Sequence, residues 1–300
     1  MGPTIPVTVV RRREPKPEWL KVKAPGSENY VRLKSLMRGL KLNTVCEEAH
    51  CPNIGECWHH GTATFMILGD VCTRACGYCA VAHGKPPVYD LDEPERVAHA
   101  VEALALNYIV ITSVDRDDLA DGGAYIFAET IRRIRARERR VRVEVLIPDF
   151  QGKAEPLHAV LDAGPDVLNH NTETVPRLYR VARSGGRYPR TLELLDRARR
   201  YAPHIPTKSG IMVGLGEEWD EILQTLRDLR EVGVQILTIG QYLRPTGQHL
   251  PMARYYTPAE FAELRRVALD LGFGHVESGP LVRSSYHAHE QADSYQAART

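Results

Sequence analysis

A chain of 300 residues, 43% hydrophobic and 26% charged, can bury one large α/β domain or two smaller ones, which excludes disordered, collagenous and coiled-coil classes. Its formal charge of +1 argues against a general nucleic-acid binder, whose phosphate contacts need a net or clustered basic surface. The apolar runs fall short of the roughly 18 to 20 residues that cross a bilayer, and the first thirty residues lack the apolar stretch of a secretory signal, so no membrane span and a cytoplasmic address are expected.

The chain opens on an irregular extension, 1–62, outside any periodic pattern. It carries Cys46-Glu-Glu-Ala-His-Cys51-Pro-Asn-Ile-Gly-Glu-Cys57, a CxxxxCxxxxxC triplet. By itself this reads as a zinc knuckle completed by His50, His59 or His60, or as buried free thiols. Trp58 beside it either shields a cluster from water or anchors the extension. From residue 63, short β-branched runs alternate with amphipathic segments. The pattern predicts strands at 64–68, 108–112, 141–147, 166–169, 207–213 and 235–240. Helices are predicted over 94–106, 124–139, 218–232 and 258–271, the last opened by Thr257 as N-cap. Strands joined by crossover helices imply a parallel sheet, doubly wound or closed toward a barrel. Six units are fewer than the eight of a closed barrel. The expected fold is therefore α/β, a partial (β/α)6 barrel over 63–277 with the irregular N-terminal extension before it and a short tail, 278–300, after it. Met66 and Met212 read as core fillers within strands.

Directly after the first strand lies Cys72-Thr-Arg-Ala-Cys76-Gly-Tyr-Cys79, CxxxCxxC, at the carboxyl ends of the strands where parallel α/β folds build their sites. Three thiolates can hold three irons of a 4Fe-4S cluster and leave the fourth open. A structural zinc site would want a fourth protein ligand, with His83 the nearest candidate. All six cysteines fall within 34 residues of a large chain, so metal binding is preferred to a disulfide framework.

CxxxCxxC with Tyr78 at its aromatic position resembles the radical S-adenosylmethionine (SAM) superfamily. With the second triplet beside it, the chain is similar to the lipoyl synthase family. Ser113-Val-Asp-Arg-Asp-Asp-Leu-Ala-Asp-Gly-Gly, Asn169-His-Asn-Thr-Glu-Thr-Val, Gly240-Gln-Tyr-Leu-Arg-Pro-Thr-Gly-Gln-His-Leu and Gly279-Pro-Leu-Val-Arg-Ser-Ser-Tyr extend the likeness over about 33–290. The resemblance implies two 4Fe-4S clusters. One, on Cys72, Cys76 and Cys79, chelates and cleaves SAM at its open iron. The other, auxiliary, is held by Cys46, Cys51 and Cys57 and is sacrificed as the sulfur source. In that family a serine of the RSSY block completes the auxiliary cluster, which carries over to Ser285, with Ser284 the alternative; read from residues alone, paired serines are caps or surface groups. The implied reaction inserts sulfur at C6 and C8 of a protein-bound octanoyl chain. It needs hydrogen abstraction from carbon, which no side-chain acid or base achieves because an alkane C–H has no usable pKa.

SAM contacts are then expected at strand ends: Thr112, Ser113 and Asp115, then Asn171 and Glu173, with Arg183 to pair its carboxylate. The competing reading of each is a residue tying loops at the barrel rim. Gln241, Arg244 and His249 are further candidates for an acyl or lysine channel. Implied partners are an octanoylated lipoyl-carrier protein domain, a small electron-donor protein and a cluster-repair protein, with no nucleic acid and no membrane. Two basic stretches, Arg11, Arg12 and Arg13 with Lys16, Lys21 and Lys23, and 131–142, read as solvated faces; as docking patches for an acidic partner they would make binding salt-dependent. The alternatives are another radical SAM enzyme with an auxiliary cluster, or a non-catalytic iron-sulfur carrier or zinc-stabilised binding protein.

Overall fold

A computed structural model describes residues 16–22, 25–49, 51–59, 64–138 and 140–297. Its frame is one eight-stranded sheet. The expected strands form as β2 (Thr64–Ile67), β5 (Tyr108–Ser113), β6 (Arg142–Leu146), β7 (Val167–Asn169), β8 (Thr207–Val213) and β9 (Ile236–Gln241). All pair parallel to their neighbours. Two more strands extend the sheet beyond the predicted set: β1 (Asn43–Thr44), antiparallel to β2, and β10 (His275–Gly279), parallel to β9 and ending two residues past 277. A short ladder, β3 (Val71–Cys72) with β4 (Ala82–His83), closes the base of the CxxxCxxC loop.

The helices are α1 (Glu28–Gly39), α2 (Val45–Glu48), α3 (Ile54–His59), α4 (Glu93–Ala103), α5 (Ala124–Arg137), α6 (Ala154–Asp162), α7 (Tyr179–Ala182), α8 (Tyr188–Tyr201), α9 (Trp219–Glu231), α10 (Pro258–Asp270) and α11 (Ala288–Ala297). Apolar residues at helical spacing put one stripe of α4, α5, α6, α8, α9 and α10 against the outside of the sheet. Thr257 caps α10: its hydroxyl accepts from the Glu260 amide (3.3 Å), and Glu260 returns by accepting from the Thr257 amide (2.8 Å).

Strand alternation separates two cores. Ile109 and Ile111 of β5 face the helices in the main core, whereas Tyr108 and Val110 face the lumen, packed with Val167, Ile236 and the α11 residues Ala288 and Ala292. The expected tail thus runs into the barrel and plugs its lower half. Also buried there, Lys208 meets Glu144 at 2.9 Å, and Glu144 accepts from Tyr108 (2.7 Å) and Asn169 (3.0 Å). A buried ion pair persists only when its remaining lone pairs are satisfied in this way.

Of the first basic stretch, Arg11, Arg12, Arg13 and Lys23 lie outside the described residues. In the second stretch Arg133 pairs with Glu129 (2.7 Å), Arg135 with Asp166, Arg137 with Glu102 (2.6 Å) and Arg142 with Asp293 (2.6 Å), while Arg139 lies outside the described residues. These pairings favour the solvated-face reading for the arginines that make them. Among the described residues no helix is long and apolar enough to cross a membrane.

Candidate active site

At the carboxyl ends of the strands lies a cavity of about 480 Å³. Cys72, Cys76 and Cys79 line it from one side, Cys46 and Cys51 from another, and Ser284 and Ser285 of the tail complete the wall. The two triplets therefore open onto one chamber. Cys57 stands beside them, close enough that charges on Cys46 and Cys51 would raise its thiol.

The first nest is built by loops wedged together. Cys72 Sγ accepts from the amides of Arg74 (3.4 Å) and Asp115 (3.3 Å). Arg74, buried between the first two cysteines, donates twice to Asp117 (2.7 Å each) and once to Asp149 (2.6 Å), and lies 3.4 Å from Asp115. It clamps the cluster loop onto the loop after β5. On the other side the Gly77 amide donates to the Ala182 carbonyl (2.9 Å), and Leu250 N–H donates to the Gly77 carbonyl (2.9 Å). A Cβ at Gly77 would meet Leu250 Cγ at 2.8 Å, so the close approach requires glycine there. His249 Nε2 donates to the Cys79 carbonyl (2.9 Å).

The second nest depends on the tail. Asn53, inside the triplet, donates to the Leu281 carbonyl (2.7 Å), and Tyr286 donates to Glu56 (3.2 Å). Arg283 lines the cavity with its guanidinium beside Cys51. Trp58 is fully buried, tilted against Tyr30 with centroids 5.0 Å apart. Its burial against Tyr30 anchors the extension.

The donor set suits iron-sulfur clusters. Burial pushes Cys46 and Cys79 up to about 11 and Cys76 up to about 12, with neighbouring anionic groups adding to the rise. Thiols so crowded ionise together only when a cationic group shares their charge. A single ion needs ligands converged on one point, whereas a cubane takes one thiolate at each of several irons. Among the described residues no three Cys, His, Asp or Glu converge for one ion; His50 and His60 lie outside those residues.

The strand-end candidates separate into two groups. Thr112, Ser113, Asp115, Asn171 and Glu173 all line the cavity, as does Tyr78. Ser113 Oγ and Asn171 Oδ1 are buried without a hydrogen-bond partner, an arrangement that awaits a polar ligand, whereas Asp115 Oδ1 is held by the Arg74 ion pair at 3.4 Å. Thr112 donates to the Leu146 carbonyl (3.1 Å). Glu173 holds a left-handed φ of +71°, kept there because its amide donates to the Gly210 carbonyl (2.9 Å) and its carbonyl accepts from Met212 (2.8 Å). Burial lifts the Glu173 and Asp115 carboxyls against the pull of Arg183 and Arg74.

Arg183 does not line the cavity. It donates to the Asn171 carbonyl and Tyr179 hydroxyl (3.1 Å) and meets His170 Nε2 at 3.3 Å, so it braces the wall from behind. Gln241 is likewise spent on backbone, donating to Val213 (3.1 Å) and Arg254 (3.1 Å) and accepting from Tyr256 (2.8 Å). Met66 and Met212, expected as core fillers, both face the cavity. Arg74, Arg283 and Asn53 escaped sequence reasoning, because nothing local distinguishes them from other polar residues of an arginine-rich chain.

A model of the radical SAM superfamily matches residues 66–229, and one of the N-terminal domain of lipoyl synthase of the radical SAM family matches residues 8–51. The chain is 62% identical over 284 residues to lipoyl synthase of Koribacter versatilis (strain Ellin345), spanning 95% of this chain and 93% of that protein. It is 60% identical over 289 residues to lipoyl synthase of Rubrobacter xylanophilus, spanning 96% and 90%. Among solved structures it resembles the FeFe-hydrogenase maturase HydG (TM-score 0.56, 17% identity, 92% of this chain and 61% of that one). It also resembles methylornithine synthase (TM-score 0.53, 13% identity, 88% and 82%). At those identities the structural likeness speaks for the partial-barrel fold alone.

Proposed function

The chain belongs to the lipoyl synthase family of radical SAM enzymes, and we propose that its shared cavity is where two sulfur atoms are inserted at C6 and C8 of an octanoyl chain. The family uses SAM and two 4Fe-4S clusters, which when bound supply hydrogen abstraction from unactivated carbon and the sulfur. In this reading Cys72, Cys76 and Cys79 hold the SAM-binding cluster, and Cys46, Cys51, Cys57 and Ser285 hold the auxiliary one. The extension 1–62, barrel 63–277 and tail 278–300 contribute one part each.

The observation that carries the reading is that all three cysteines of the first triplet, two of the second and the serine pair line a single chamber, with Cys57 beside it. The unpartnered oxygens of Ser113 and Asn171, with the carboxylate of Asp115, would take the polar groups of SAM, with Glu173 and Tyr78 beside them. Val45, Met66, Leu146, Met212 and Val282 supply apolar wall for the alkyl chain. Arg74 and the 181–184 and 249–250 segments hold the first nest rigid, so cofactor and chain meet in fixed geometry.

The substrate is an octanoylated lipoyl-carrier protein domain; a small electron-donor protein and a cluster-repair protein are the further partners we propose. Six free thiols meant for metal suit a reducing compartment, hence the cytoplasm. Anaerobic incubation with dithionite, SAM and an octanoyl-lysine peptide should give methionine, 5′-deoxyadenosine and peptide masses raised by one and two sulfurs. Deoxyadenosine without thiolated peptide would transfer the chain to another radical SAM activity.

A further inference from the structure

We propose that Asn171 is a positioning residue for the second nest: through Ser284 it fixes the tail so that the neighbouring Ser285 is presented to the auxiliary cluster. The inference rests on the two-cluster reading above and divides the labour of the two adjacent serines.

Asn171 Nδ2 donates to Ser284 Oγ at 2.7 Å. Among the described residues no hydrogen bond engages the Ser285 hydroxyl, so one serine is committed to the protein and the other is left to a ligand. Asn171 is itself fixed. It is 8% exposed, its carbonyl accepts from Arg183, and Arg183 is held in turn by Tyr179 and His170. Other ties act elsewhere on the tail: Asn53 on the Leu281 carbonyl, Glu56 on the Tyr286 hydroxyl, and Gly240, where a Cβ would lie 2.2 Å from the Val282 carbonyl. Among the described residues, only Asn171 hydrogen-bonds the serine pair through a side chain. Because Asn171 stands in the wall of the first nest, within the segment that carries Glu173, the latch for one nest is anchored in the other.

The test follows release of iron to a ferrous chelator from the reconstituted holoenzyme, without SAM or substrate. The triple cysteine-to-alanine variants identify which phase belongs to which nest. Asn171→Ala and Ser284→Ala should each speed release from the second nest about fivefold, the net worth of one neutral hydrogen bond, and leave the first nest's phase unchanged. The double variant should be no faster than either single, since both remove the same bond. Hydrogen exchange of backbone amides 281–286 should rise in both, a readout independent of turnover. Ser284→Ala decides the matter should Asn171→Ala disturb the first nest. Parent-like release in both singles, or effects that add in the double variant, would overturn the latch. A parent carrying about four irons instead of about eight would overturn the two-cluster reading itself.

Discussion

Buried thiols repel one another as they ionise, and burial adds to the cost, so each nest is stable as thiolates only around a cationic group. Replacing Cys72, Cys76 and Cys79 together by alanine, or Cys46, Cys51 and Cys57 together, should each remove about half of the iron and labile sulfide of the reconstituted protein, from about eight of each to about four. Loss of nearly all iron from either variant would mean one site, not two. The cysteines were readable from sequence because a chelating loop is local: its spacing survives whatever the rest of the chain does. Arg74 was not, since its partners Asp117 and Asp149 lie 43 and 75 residues away. The proposal of Ser285 comes from likeness alone, because the triplet it is proposed to join stands more than two hundred residues earlier and a serine carries no periodic signal.

At the scale of elements, the six central strands were legible because each carries a short run of β-branched or apolar residues, and α4, α5, α9 and α10 because each has one apolar stripe, whereas α6 and α8 were not marked. β10 was not. Its single fully buried side chain is Val276, and His275 and Glu277, on the other face, pair with each other at 3.7 Å, so neither alternation nor an apolar run marks it. Its register sets Gly279 opposite Gly240, and there the tail crosses β9 at a separation that leaves no room for a methyl group. Gly240→Ala should force the Val282 backbone outward, costing about 1 to 3 kcal/mol in urea unfolding. It should also deplete iron at the second nest while sparing the first. Full iron content with an unshifted unfolding midpoint would show that the crossing is loose.

At the scale of the whole molecule His170 is an acid-sensitive joint, linking the end of β6, α8 and the Arg183 brace. Its Nδ1 donates to the Ile147 carbonyl (2.8 Å), and burial together with the charge of Arg183 pushes its pKa down to about 3. The unfolded chain then binds a proton at pH values where the native chain does not, so stability is complete above about 6.5 and is lost as pH falls through that window. The slope is at most ~1.4 kcal/mol per pH unit. His170→Gln should unfold at lower urea overall, and its midpoint should vary less steeply than the parent's between about pH 5 and 7. Parallel pH profiles would dismiss the joint.

The path of the tail also has a consequence for biosynthesis. Asn53 meets Leu281 across 228 residues, and Glu56 meets Tyr286 across 230, so the early cysteines leave the ribosome long before the tail that packs against them. If the proposed ligand set holds that corner, its loading with metal comes after the barrel and tail have been made, and iron delivered sooner would meet three of its four ligands.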